Sequence, residues 1–112
     1  MYKIDNSLII NGLGIIATEY IPKNTIIGIW LSKNRISNNR VLYQEGMTSI
    51  WYEYPELGRY CNHSILPNTY YIINDVDVII VSNEIQKGSE IFVNYNWCTD
   101  ITGYQVNTLN FI

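Results

Sequence analysis

The chain has 112 residues, 47% of them hydrophobic and 15% charged, with a formal net charge of −3. That is enough chain for one domain, too apolar for a disordered tail, and without an apolar run near the roughly 18–20 residues a membrane helix needs. Scattered Lys and Arg and a negative balance exclude a general phosphate-binding surface, so no direct nucleic-acid binding is expected, while a basic peptide partner is compatible.

Met1-Tyr2-Lys3-Ile4-Asp5 has neither a basic n-region nor an apolar h-region, so no signal peptide is expected and the reading is of an intracellular, soluble protein. Strands are expected over residues 2–4 and 8–10. Asn11-Gly12 reads as a turn pair leading through Leu13-Gly14 into a strand over 15–18. Ile21-Pro22-Lys23-Asn24 is a turn before a strand over 25–31. Residues 32–40 are polar and poorly patterned and read as a surface loop. Residues 41–45 fit a short helix or a loop, and 49–54 is an aromatic strand that Pro55 ends.

A helical turn or tight loop is expected over 57–62. Strands follow at 68–73, 78–82 and 90–95, the first two joined by a tight hairpin at Asn74-Asp75-Val76-Asp77. Glu84-Ile85-Gln86-Lys87-Gly88 resets the chain before the last strand, and the tail over 99–112 has no clear period. Short β-branched and aromatic runs separated by Gly, Pro, Asn and Asp make this a mostly-β single domain spanning 1–112.

Cys61, Cys98 and His63 are too few for a tetrahedral zinc site or a disulfide framework, so no metal is expected. No Ser/His/Asp arrangement, HExxH, Walker loop or CxxC is present. Gly12-Leu13-Gly14 fits either a glycine-relieved turn or a close backbone approach to a ligand. Arg59-Tyr60-Cys61-Asn62-His63-Ser64-Ile65-Leu66-Pro67-Asn68 crowds short polar side chains between apolar strands, as a satisfied turn or a ligand-facing block would. Gly88-Ser89-Glu90-Ile91-Phe92-Val93-Asn94-Tyr95-Asn96-Trp97 is a strand whose end carries Tyr95 and Trp97 two apart.

Taken in order, the Gly12-Leu13-Gly14 turn, the Ile21–Gly28 segment, the Asn-His-Ser-x-x-Pro-Asn block and the Gly-x-Glu-Ile-x-x-x-Tyr block resemble the SET domain of protein-lysine methyltransferases. The resemblance runs over about 8–97, the tail 98–112 completing the site, and at this length the chain is similar to the minimal viral SET proteins. It implies small twisted, β-clip-like sheets with a C-terminal pseudoknot, which general topology rules disfavour and no strand pattern predicts.

The resemblance also implies S-adenosylmethionine as cofactor, held by Arg59, Asn62, His63, Trp97 and the backbone at Leu13 and Gly14. Tyr95 falls on the catalytic tyrosine. Tyr71, Tyr95, Trp97 and Tyr104 are the expected substrate channel, whose aromatic faces suit a sulfonium and an alkylammonium. The reaction the resemblance implies is methyl transfer to a protein lysine amine, with a histone tail as the substrate by analogy and the nucleus, or a host nucleus, as the place that substrate would imply.

Three features depart from the family's pattern. Trp30 stands where members often carry an acidic residue, Cys61 occupies a usually apolar position, and no cysteine-rich zinc segment follows Tyr95. The cover of the site must then come from the tail, with Trp97 and Tyr104 as candidates, or from a second subunit, and a homodimer is compatible with the uncovered edges of so small a β domain. Two other readings fit the same residues: an inactive SET-like module that binds a basic peptide or the cofactor, and a small all-β structural protein.

Overall fold

The computed structural model describes residues 1–36 and 40–106. Among these described residues nine strands form two sheets: β1 (Tyr2–Asn6), β2 (Leu13–Ala17), β3 (Ile26–Ser32), β4 (Val41–Leu42), β5 (Trp51–Glu53), β6 (Asn62–His63), β7 (Thr69–Ile73), β8 (Asp77–Ser82) and β9 (Glu90–Val93). Two short helices, α1 (Leu57–Tyr60) and α2 (Asn96–Thr102), flank β6 and β9. One sheet runs β1-β2-β9-β6 and the other β4-β5-β3-β8-β7.

The apolar alternation explains most of these elements. In β8, Val78 and Ile80 are fully buried, and β3 contributes Trp30 and Leu31 to the same core. In the other sheet Ile15 of β2 pairs with Ile91 of β9, and both are fully buried. A single bridge between Ile21 and Ile85 ties the turns that leave each sheet. The C-terminal strand β9 does not lie at an edge. It inserts between β2, antiparallel, and β6, parallel.

Several elements differ from the sequence reading. Residues 8–10 are not a strand but part of a loop between β1 and β2, whose ends are held by Ser7 N–H donating to the Gly12 carbonyl at 2.8 Å. Gly14 lies within β2 rather than in a turn. Residues 41–45 begin with a strand, because Val41 and Leu42 find partners in Tyr52 and Trp51. Of the surface loop expected over 32–40, Ser32 belongs to β3, and residues 37–39 lie outside the described residues. The helix α2 begins before the tail and runs into it, and is ended by Gly103 in the left-handed conformation (φ 82°) with its N–H on the Thr99 carbonyl. Residues 107–112 of that tail also lie outside the described residues.

Among the described residues no helix is long and apolar enough to cross a membrane. The helix that shapes the site is α1, which packs directly on backbone. A Cβ at Gly58 would stand 2.5 Å from the Trp30 carbonyl oxygen and 3.0 Å from Glu53 Cα, so only glycine lets α1 sit this close to β3 and β5. That close approach brings Arg59 and the following Cys61-Asn62-His63 segment to the crossing of the two sheets.

Candidate active site

The parallel pairing of β6 with β9 sets Asn62 opposite Phe92 and His63 opposite Val93. Tyr95 follows β9 by two residues and leads into α2, so the Asn-His pair and the tyrosine, distant in sequence, meet at one crossing. Asn68 holds that crossing from the other side. Its Nδ2 donates to the Glu90 carbonyl at 2.8 Å and its Oδ1 accepts the Phe92 N–H at 2.9 Å, so the side chain stands in for a missing strand.

His63 is buried, and its Nδ1 accepts the Tyr95 backbone N–H at 2.9 Å. Burial lowers the His63 pKa, so the ring is neutral at pH 7, as an accepting Nδ1 requires. The Tyr95 ring lies 5.1 Å from the His63 ring, and its hydroxyl donates to the Cys61 carbonyl at 2.9 Å. Burial raises the Tyr95 pKa strongly, with the acidic groups Cys61, Glu53 and Glu90 adding to the effect, so it is a phenol and not a phenolate. The Cys61 thiol is pushed up by complete burial and donates to the Ile91 carbonyl at 3.2 Å, so it packs as a small apolar group.

A cavity of about 460 Å³ opens at this crossing. Its inner wall includes Asn62, Tyr95, Arg59 and Gly58, and Trp30 and Leu31 of β3 form an apolar side. Its outer side is made by Arg40, Leu42 and Glu53, with Cys98 of α2 and Tyr104, Gln105 and Val106 of the tail. The volume and the mixture of apolar walls with a few convergent polar groups suit a small-molecule site.

Four of the residues expected from sequence therefore line one cavity: Arg59, Asn62, Tyr95 and Tyr104. Leu13, Gly14, His63, Tyr71 and Trp97 are not among its lining residues. Leu13 is exposed on the surface, but its carbonyl accepts Asn62 Nδ2 at 3.0 Å. A Cβ at Gly14 would lie 2.5 Å from Glu90 Oε2 and 3.1 Å from Asn62 Nδ2, so glycine here makes room for protein side chains. Trp97 stacks edge-on against Tyr71 at 5.2 Å and against Trp30 at 6.4 Å, extending the aromatic wall behind Trp30. His63 reaches the site through Tyr95.

Spacing alone does not reveal Trp30, Glu53, Cys98 or Gln105 as lining residues, because they come from β3, β5, α2 and the tail. At the mouth, Arg40 approaches Glu53 at 3.8 Å and donates to the Tyr104 hydroxyl at 3.3 Å. Burial raises the Glu53 pKa, and the charges of Arg40 and Arg59 oppose that rise. The tail is tied down a second time by Gln105 N–H donating to Gln44 Oε1 at 2.8 Å.

Asn62 offers the clearest sign of what the cavity accepts. Both its Nδ2 contacts are to protein oxygens, Leu13 O at 3.0 Å and Glu90 Oε2 at 2.8 Å. Among the described residues its Oδ1 accepts nothing, although the residue is more than nine-tenths buried and lines the cavity. A buried acceptor left over in this way calls for a donor on whatever fills the space.

Comparisons with known proteins agree with this architecture. The SET-domain family model matches residues 12–96. A crystal structure of a Plasmodium falciparum "putative histone methyltransferase" is similar at a TM-score of 0.57 and 30% identity, over 85% of this chain and 96% of that one. A search of the curated proteins gives no match.

Proposed function

This chain belongs to the SET-domain family, and from that premise we propose that it transfers a methyl group from S-adenosylmethionine to the side-chain amine of a protein lysine. The observation that carries the reading is the shared cavity: Asn62 and Tyr95, 33 positions apart by their numbers, line one space with an unmatched acceptor and aromatic walls. When bound, S-adenosylmethionine supplies the electrophilic methyl of its sulfonium. The buried Asn62 Oδ1 fits its ammonium-bearing methionine end, with Arg59 beside it. The backbone at Leu13, Gly14 and His63 and the ring of Trp97 complete the cofactor side in this reading.

The acceptor lysine must be neutral to attack. At pH 7 only about 0.04% of a free lysine is neutral, a cost of about 4.6 kcal/mol. An apolar channel of Tyr71, Tyr95, Trp97 and Tyr104 disfavours the ammonium form, and a neighbouring positive charge repels it. No histidine base is needed, which agrees with a His63 whose Nδ1 is engaged by the Tyr95 amide. The Tyr95 phenol proton is committed to the Cys61 carbonyl, so toward the reacting atoms its oxygen acts as an acceptor. Such C–H···O contacts are worth about 0.5–1 kcal/mol each, and holding the two reactants in line contributes more.

The substrate class proposed is a lysine-containing protein. A histone tail is favoured by the Plasmodium neighbour's name and by the fit of a basic tail to an acidic chain. Cover for the site is supplied in this reading by the tail itself, through Tyr104, Gln105 and Val106. Radiolabelled methyl transfer to histones tests the proposal. Tyr95→Phe is expected to cut the rate about 100-fold at unchanged fold, since small misplacement of reacting groups costs on that order. Equal rates in the two proteins would end the assignment of Tyr95, and no transfer by the wild type to any lysine-bearing histone would end the histone reading.

A further inference from the structure

Glu90 is 3% exposed, and its carboxylate meets protein donors on both sides. Oε1 accepts the Ser7 hydroxyl at 2.8 Å and the Leu8 N–H at 2.7 Å, while Oε2 accepts Asn62 Nδ2 at 2.8 Å and approaches the same Ser7 hydroxyl at 3.1 Å. None of its atoms lines the cavity, and the transfer reaction derived above makes no use of it. The close packing over Gly14 is spent on accommodating this carboxylate.

We infer that Glu90 is a positioning residue that fixes the Asn62 amide with its carbonyl toward the cavity, and so sets affinity for a cofactor bearing an ammonium group. An ionised carboxylate only accepts hydrogen bonds, and so does the Leu13 carbonyl. Both therefore select the NH2 end of Asn62. Rotating the amide by half a turn would set Oδ1 against two oxygens at 2.8 and 3.0 Å, the distances its nitrogen now occupies. The orientation that remains leaves Oδ1 as the polar atom available to a ligand.

Ser7 and Leu8 hold the carboxylate in turn, so the loop between β1 and β2 braces the cofactor wall without touching it. Glutamine at position 90 cannot reproduce this pattern. Its single carbonyl oxygen can serve Asn62 or the Ser7–Leu8 pair, and its own NH2 then faces donors on the other side.

The inference rests on the cofactor reading above, and the test separates the two. Calorimetry with S-adenosylmethionine is run on wild type, Glu90→Gln and Glu90→Asp, well below each protein's unfolding temperature. In parallel, nitrogen-15 spectra follow the Asn62 side-chain NH2 without any ligand. Glu90→Gln is expected to weaken binding at least 10-fold and to shift both Asn62 protons and speed their exchange with solvent. Glu90→Asp keeps the charge but retracts it, and is expected to lose less. A purely structural Glu90 would lower thermal stability and leave the dissociation constant unmoved, and a folded Glu90→Gln that binds as wild type does overturns the inference. Should Glu90→Gln not fold, wild-type affinity in Glu90→Asp with displaced Asn62 protons overturns it equally. Wild-type protein that binds no S-adenosylmethionine overturns the functional reading as well, and is recognised by the wild-type titration alone.

Discussion

The inner and outer walls of the cavity are built on different physics. Behind the inner wall, Glu90 and His63 hold Asn62 and Tyr95, and Asn62, Glu90 and His63 are nearly excluded from solvent, with bonds of 2.7–3.1 Å. The outer wall has short neutral bonds, Gln105 N–H on Gln44 Oε1 and the Thr99 hydroxyl on the Tyr104 carbonyl, both at 2.8 Å, but its charged contacts come from Arg40, an exposed side chain, at 3.3 Å to Tyr104 and 3.8 Å to Glu53. Buried charge-assisted bonds are stiff and expensive to break, whereas exposed ion pairs contribute about 0–1 kcal/mol. The division teaches where precision is needed. In the proposed function, the wall that aligns reacting atoms is the locked one, and the charged contacts at the mouth, where partners would enter and leave, are weak.

Substitutions can break that contrast, and the largest effect is expected beneath the inner wall. Ile91→Ala, on the fully buried middle of β9, should cost about 2–5 kcal/mol in chemical denaturation through lost burial and the cavity left behind. Gly14→Ala should follow at about 1–3 kcal/mol, because its Cβ needs space held by Glu90. It should also weaken S-adenosylmethionine binding in calorimetry, because the displaced carboxylate lets go of Asn62.

Acid sharpens the comparison at smaller amplitude. The native His63 pKa lies below its ordinary value of about 6.5, so the folded state binds fewer protons there than the unfolded chain. Stability is therefore full above about pH 6.5 and falls as pH drops from there through the native value. The native Glu53 pKa is raised instead, so ionised Glu53 opposes folding at neutral pH, and that opposition lifts as pH falls through its native value toward the ordinary one. Thermal melts from pH 7.5 to 4 should show the first loss in wild type and not in His63→Gln. The smallest effect belongs to the outer wall: Arg40→Ala should change unfolding stability by less than about 1 kcal/mol in denaturant titrations.

Much of the architecture was legible in short apolar runs. β1, β2, β3, β5, β7, β8 and β9 coincide with segments whose side chains alternate or are β-branched, because a strand's burial is written every second residue. β6 was not legible. Two residues, Asn62 and His63, carry no period, and they form a strand only because β9 lies alongside. α2 was obscured by Thr99, Ile101 and Thr102, which are weak helix formers, although Gly103 was a readable stop signal.

For the site, the order of the Asn-His and Glu-x-x-x-x-Tyr blocks singled out Asn62, His63, Glu90 and Tyr95 through likeness to a family. What each side chain faces was a different matter. The Gly12-Leu13-Gly14 segment read as a glycine-relieved turn or a close backbone approach to a ligand, and the space beside Gly14 is taken by the side chains of Glu90 and Asn62. Trp30 read as a departure, and it forms an apolar wall of the cavity.

By itself the sequence determined the strand-rich class, the family and the residue types available for chemistry, because local periodicity and motif order survive without coordinates. Only the tertiary structure decided that β9 lies between β2 and β6, that both hydrogens of the Asn62 amide are spoken for, and that Tyr104, Gln105 and Val106 line the cavity. Those outcomes depend on hydrogen bonds and contacts between segments far apart in the chain, which leave no trace in the spacing of neighbouring residues.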